Sequence, residues 1–256
     1  MFADIDGNSI QYVSYGEGPP VVFVHGLGGA ANVWHGVMQA MKQHDHCIAM
    51  DLRGHGRSQG KGKFSVDGWA TDVVKLIRHL QLPAVHLVGH SMGTLVAQHI
   101  AEAEPDLVES LVLCGGISYF QPDTNEAYKQ RADLVEKEGM DVLVDDWLAG
   151  AVSPQSHATQ SGGVGLLREL FLRNDPAAYA KSCRALAEAP SIRRDELGMP
   201  VLMLTGAHDR STPLAMAEEL KRSIPVSRVH VLPDVGHWSP VEAPGLVAAA
   251  ILDFLT

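Results

Sequence analysis

Val85-His86-Leu87-Val88-Gly89-His90-Ser91-Met92-Gly93-Thr94-Leu95-Val96-Ala97-Gln98-His99-Ile100-Ala101 carries a short apolar run, a serine between two glycines, and then helical character that lasts until Pro105. The order is strand, sharp turn, helix. In that setting Gly89-His90-Ser91-Met92-Gly93 reads as a nucleophile elbow: a strained turn lifts Ser91 clear of a sheet, and the following helix aims its first amides at a reacting carbonyl. Small residues flank the serine because a tight strand-to-helix turn leaves little room for side chains there.

The same strand signature recurs on both sides. Val21-Val22-Phe23-Val24 is a continuous apolar run, as expected of a parallel strand covered on both faces, and the runs Ile48 to Met50, Leu111 to Leu113, Val201 to Leu204 and Val229 to Leu232 read alike. Between most of them lie helical patterns; Trp69, Ala70, Val73, Val74, Ile77 and Leu80 recur at intervals that leave one apolar face. The first fifteen residues alternate around Asp6-Gly7-Asn8 and predict a β-hairpin. The fold class is therefore α/β, with a mostly parallel, doubly wound sheet of eight strands flanked by helices. Alternation fails from Ser118 to Leu197, where Glu126 to Glu138 and Gly165 to Leu172 look helical and no strand is evident. Residues 1–117 and 198–256 are accordingly expected to form the core, and 118–197 a helical cap over the carboxyl end of the sheet.

Composition narrows the function classes. A chain of 256 residues with 46% hydrophobic and 20% charged residues matches an ordinary globular protein. A formal net charge of −10 without a Lys/Arg cluster argues against nucleic acid. Cys47, Cys114 and Cys183 are odd in number and lack metal-ligand spacing, so free thiols in a reducing cytoplasm are expected. The start has no basic n-region with a long apolar core, and the apolar run Leu246 to Leu255 contains Asp253 and is too short for a membrane span. Neither a signal peptide nor a membrane partner is expected.

A serine hydroxyl needs a base to take its proton. His237, in Asp234-Val235-Gly236-His237-Trp238, follows the last strand and emerges at the same sheet edge as Ser91. Its orienting carboxylate is assigned to Asp209, in the loop after Val201 to Leu204; Asp234 lies too close in sequence to His237 to be separately placed. The chain order Ser91, Asp209, His237 is that of an α/β-hydrolase. Two amides must receive the developing oxyanion, and the N–H groups of Met92 and of Leu27, in the glycine-rich turn His25-Gly26-Leu27-Gly28-Gly29, are the candidates. That turn lacks dinucleotide and P-loop spacing and has no P-loop lysine, so it does not cradle phosphate.

With these residues in place the chain resembles the α/β-hydrolase superfamily over nearly its whole length. The likeness rests on His25 to Gly29, Asp51-Leu52-Arg53-Gly54-His55-Gly56-Arg57-Ser58, the elbow, Gly206 to Pro213 and Gly236 to Pro244. In texture it is similar to the small carboxylesterases and lactonases that include 3-oxoadipate enol-lactonase. The resemblance implies hydrolysis of a carboxylic ester or lactone through an acyl-Ser91 intermediate, without cofactor or metal. It implies a structural role for the Asp51 to Ser58 loop, with Asp51 and Arg53 bracing the turn. The substrate is expected to be a small ester or lactone; a homodimer is left open. His25, Trp34, His90, Trp147, Phe171 and Trp238, with Met92, are candidates to line the pocket or to pack in the core. An anionic substrate would call for a cap cation, for which Arg131, Arg168, Arg173 and Arg184 are available. The alternatives are a carbon–carbon bond hydrolase of ring-cleavage products, a perhydrolase side activity, and a ligand receptor on the same fold without catalysis.

Overall fold

The computed structural model describes residues 1–119 and 122–256. Asp6 and Gly7 take φ values of 52° and 77°, the positive pair that a two-residue hairpin turn needs, and Asp4 accepts the Gly7 amide at 2.8 Å. This turn joins β1 (Phe2–Ile5) to β2 (Asn8–Tyr15), and β3 (Pro20–Val24), β4 (His46–Met50), β5 (Val85–His90), β6 (Val108–Cys114), β7 (Val201–Gly206) and β8 (Ser227–Leu232) complete the sheet. The strands lie in the order β1-β2-β4-β3-β5-β6-β7-β8. β1 and β2 are antiparallel to their neighbours, and every pairing from β4 to β8 is parallel.

The helices are α1 (His35–Met41), α2 (Val66–His79), α3 (Met92–Ala103), α4 (Pro122–Glu138), α5 (Asp141–Ala151), α6 (Pro154–Thr159), α7 (Ser161–Leu172), α8 (Pro176–Ala187), α9 (Leu214–Ser223), α10 (Ser239–Glu242) and α11 (Pro244–Leu255). The central strands are covered on both faces, which is why β3 and β7 read as continuous apolar runs and why β5 is interrupted only by the half-buried His86 before its Gly-His end. β8 departs from that expectation: it is the sheet edge, and Val231 is 40% exposed.

Between β6 and β7 the described residues form α4 to α8 and a short 3-10 turn, with no strand. α4 and α7 each begin four residues earlier than their apolar spacing suggested, at Pro122 and Ser161. Pro122 suits a first helical turn, and α7 runs through Gly162, Gly163 and Gly165, residues that read as breakers but are tolerated there. Among the described residues no helix is long and apolar enough to cross a membrane.

Candidate active site

β5 ends at His90 and α3 begins at Met92, so Ser91 alone makes the turn, at φ 51° and ψ −118°. A non-glycine residue in that region stores on the order of 1–3 kcal/mol of strain, which its surroundings must hold. They do: Ser91 N–H donates to the Cys114 carbonyl at 3.0 Å, and Thr94 Oγ1 donates to the Ser91 carbonyl at 2.6 Å. The glycines of the motif are steric requirements. A Cβ on Gly93 would overlap the Val24 carbonyl of β3, and one on Gly89 would overlap the Gly93 carbonyl. Met92 opens α3, so its N–H has no intrahelical acceptor.

Asp209 lies just beyond β7 and is 6% exposed. Its carboxylate accepts the amides of Ser211 and Thr212 at 2.9 and 2.8 Å, the Thr212 hydroxyl at 2.8 Å and His237 Nδ1 at 2.9 Å. Burial opposes ionisation of Asp209, but the adjacent His237 and the hydrogen bonds from His237 and Thr212 outweigh it and hold the carboxyl below its ordinary value. With Nδ1 as donor, Nε2 of a neutral His237 is left with a lone pair, as a general base requires. Asp234 sits elsewhere: its carboxylate is 76% exposed and lies 3.8 Å from His208. Thr212 was not singled out from sequence; its signal was its position three residues after Asp209, where a carboxylate closes a turn on its own backbone.

Three further histidines cluster behind the elbow. His25 accepts the Leu52 amide on Nε2 at 2.9 Å and donates from Nδ1 to the Gly26 carbonyl at 2.8 Å. The His90 ring lies tilted against two others, its centroid 4.8 Å from that of His237 and 4.5 Å from that of Trp238. Burial pushes the imidazoles of His25, His55 and His90 down to about 4, 3 and 3. The Asp51 to Ser58 loop is bound internally: Asp51 accepts the amides of Ala31 and Arg57, each at 2.7 Å, and Arg53 pairs with Asp72.

Ser91 and His237 both line a cavity of about 380 Å³, together with Leu27, Trp147, Trp238 and Arg131. Four pocket candidates do not reach it. His25, Trp34, His90 and Phe171 have no exposed surface, because they pack behind the wall they were expected to form. The Met92 side chain is likewise buried. Phe171 stacks on Trp147 at 4.4 Å and supports it from behind. The cap arginines also separate. Arg168, Arg173 and Arg184 reach Asp145, Glu169, and Asp133 with Glu136, respectively. Arg131 lines the cavity, 5.5 Å over the Tyr128 ring, and among the described residues it forms no ion pair. Nor does any group of three or more His, Cys, Asp or Glu among the described residues lie placed to hold a metal ion.

A family model for the alpha/beta hydrolase fold matches residues 19–146. The chain belongs to this family and is a hydrolase of the α/β type. It is similar to the (E)-2-((N-methylformamido)methylene)succinate hydrolase of Acinetobacter baylyi, with 26% identity over 98% of this chain and 95% of that one. The 3-oxoadipate enol-lactonase 2 of the same organism is 28% identical over 92% of this chain and 89% of its own. Among solved structures, a thermophilic esterase from Thermogutta terrifontis, with malate bound, superposes at a TM-score of 0.93, with 28% identity and coverage of 97% and 93%.

Proposed function

We propose that this protein hydrolyses a carboxylic ester or lactone through an acyl-Ser91 intermediate. The observation that carries the reading is the 2.9 Å contact between His237 Nδ1 and Asp209 Oδ2, made where His237 and Ser91 face one cavity. Ser91 Oγ attacks the carbonyl carbon as its proton passes to His237 Nε2. The tetrahedral oxyanion is received by the N–H groups of Leu27 and Met92, and the leaving alkoxide takes the proton from His237. Water then repeats the sequence on the acyl group, giving a carboxylate and free Ser91. Asp209 stays ionised throughout and steadies the imidazolium.

The walls suit a small, partly apolar substrate, with Leu27, Trp147, Met216 and Trp238 on the lining. Arg131 supplies a cation for a substrate carboxylate, in keeping with the succinate and oxoadipate named in the relatives' substrates. The test is steady-state turnover of a panel by wild type and Ser91→Ala: short and medium p-nitrophenyl esters, neutral lactones and an anionic enol-lactone. Turnover of an ester or lactone that vanishes in Ser91→Ala is expected. Ester turnover unchanged in that variant would remove the acyl-serine route, and inertness toward every ester and lactone would turn the reading toward carbon–carbon cleavage.

A further inference from the structure

The backbone around His237 lies beyond the strand ladder, since β8 stops at Leu232, and the Val235 carbonyl accepts the His208 amide at 2.8 Å. Two other parts of the molecule hold His237 itself. His237 N–H donates to the Ala151 carbonyl at the end of α5, 2.8 Å away, and His90 Nε2 donates to the His237 carbonyl at 2.8 Å. The peptides on either side converge on Glu242, a 5% exposed residue at the end of α10. Its Oε1 accepts the Trp238 amide at 2.9 Å, and its Oε2 accepts both the Gly236 amide at 3.0 Å and the Ser153 amide at 2.9 Å. Ser153 lies between α5 and α6, so one carboxylate oxygen bridges the base loop and the helical segment above it.

Glu242 forms no ion pair among the described residues, and the three N–H groups are its partners. A carboxylate offers acceptors only and so matches three donors; an amide in its place would aim an NH2 group at one of them. The contact is close enough to exclude side chains. A Cβ on Gly236 would lie 2.6 Å from the Ser153 amide nitrogen and 2.8 Å from the Ala151 carbonyl oxygen. The same stretch of α5 faces the substrate, because Trp147, Gly150 and Ala151 line the cavity.

We propose that Glu242 is a positioning residue that couples the cavity-lining end of α5 to the His237 imidazole. The role rests on the esterase or lactonase reading above, in which His237 is the base. Asp209 orients the imidazole, and the His208 amide donates to the Val235 carbonyl at 2.8 Å. The peptides at positions 236 to 238, however, hang on α5, His90 and Glu242, and misplacement of the ring by an ångström costs a reaction about 10²-fold. Loosening Glu242 therefore lowers kcat and leaves KM near its wild-type value.

The experiment compares the full chain with Glu242→Gln by p-nitrophenyl acetate kinetics, by hydrogen exchange at residues 151–153 and 236–238, and by the downfield proton resonance of His237 Nδ1–H. Expected in Glu242→Gln are a kcat lower by about 10²-fold with KM little changed, faster exchange in both segments together, and a broadened or lost resonance. Glu242→Asp, which keeps the charge, should recover part of each; if Glu242→Gln does not fold, Glu242→Asp takes its place with the same signs. The proposal is overturned if exchange and resonance match wild type, or if the loss of kcat equals the loss of folded protein. Should wild type turn over no ester, the functional reading falls by itself, and exchange and resonance still decide the role of Glu242.

Discussion

His90 donates through Nε2 to the backbone carbonyl of His237, 2.8 Å away, and its ring has no exposed surface. Such a donor works as a neutral imidazole, and burial lowers His90 from 6.5 to about 3, with His25 and His55 lowered to about 4 and about 3. The unfolded chain takes up these protons near pH 6.5; the folded chain takes them up only below about 4. Between those limits the unfolded state binds more protons, so stability is fully present above pH 6.5 and falls as pH drops. Each histidine contributes a slope of about 1.4 kcal/mol per pH unit. Urea unfolding midpoints should fall steadily from about pH 7 to about pH 5; a flat profile would show that these rings charge without cost.

Asp209→Asn keeps the shape of the acid but aims an amide at Thr212 and His237, favouring the wrong imidazole tautomer. Turnover should drop by about 10⁴-fold. Thr212→Val removes only the hydroxyl that donates to Asp209 Oδ2 at 2.8 Å. Its loss should cost about tenfold in kcat and be regained in Thr212→Ser. Equal effects of Asp209→Asn and Thr212→Val on kcat would show that the hydroxyl, not the charge, organises His237.

The positions that could be read from sequence are those decided locally. Val21 to Val24 announced a strand because both its faces are covered, and Ser91, Asp209 and His237 could be found because each follows a strand that the topology sends to one end of the sheet. What stayed illegible depends on packing between distant segments. Periodicity says that Trp34 and Phe171 are apolar, but only the fold puts them behind the cavity wall rather than in it. Four cap arginines are equivalent on paper, and only the arrangement of α4 to α8 sets three of them in ion pairs and puts Arg131 in the lining of the cavity that Ser91 also lines. Glu242 lies in the Gly236 to Pro244 motif, but its role was not legible, because its three partners are backbone amides, one of them 89 residues away.

One substitution should have opposite effects at two glycines. At Gly93 the new methyl meets the Val24 and His25 carbonyls, backbone atoms of a central strand and its loop that cannot give way, so Gly93→Ala should cost about 3 kcal/mol or more. At Gly165, inside α7, nothing lies within 4 Å of the position a Cβ would take. Gly165→Ala should therefore stabilise the protein by about 0.5–1 kcal/mol through helix propensity alone. Urea denaturation of both variants checks the pair, and a destabilised Gly165→Ala would mean that α7 needs its glycine for packing.

Arg53 and Asp72 form a two-pronged pair, Nε to Oδ2 at 2.9 Å and Nη2 to Oδ1 at 2.6 Å, with side-chain exposures of 13% and 1%. The bond ties the Asp51 to Ser58 loop to α2. Burial pushes Asp72 upward and the Arg53 guanidinium pulls it back only in part, so this carboxylate depends on its partner to remain charged. Arg53→Met strands it in the core and should cost about 3–5 kcal/mol, whereas adding Asp72→Asn to the same protein removes the stranded charge and should recover much of the loss. Chemical denaturation of the single and double variants reads the difference directly. If the double variant is as unstable as Arg53→Met, the arginine acts through its bond to the Lys63 carbonyl and its packing rather than through the pair.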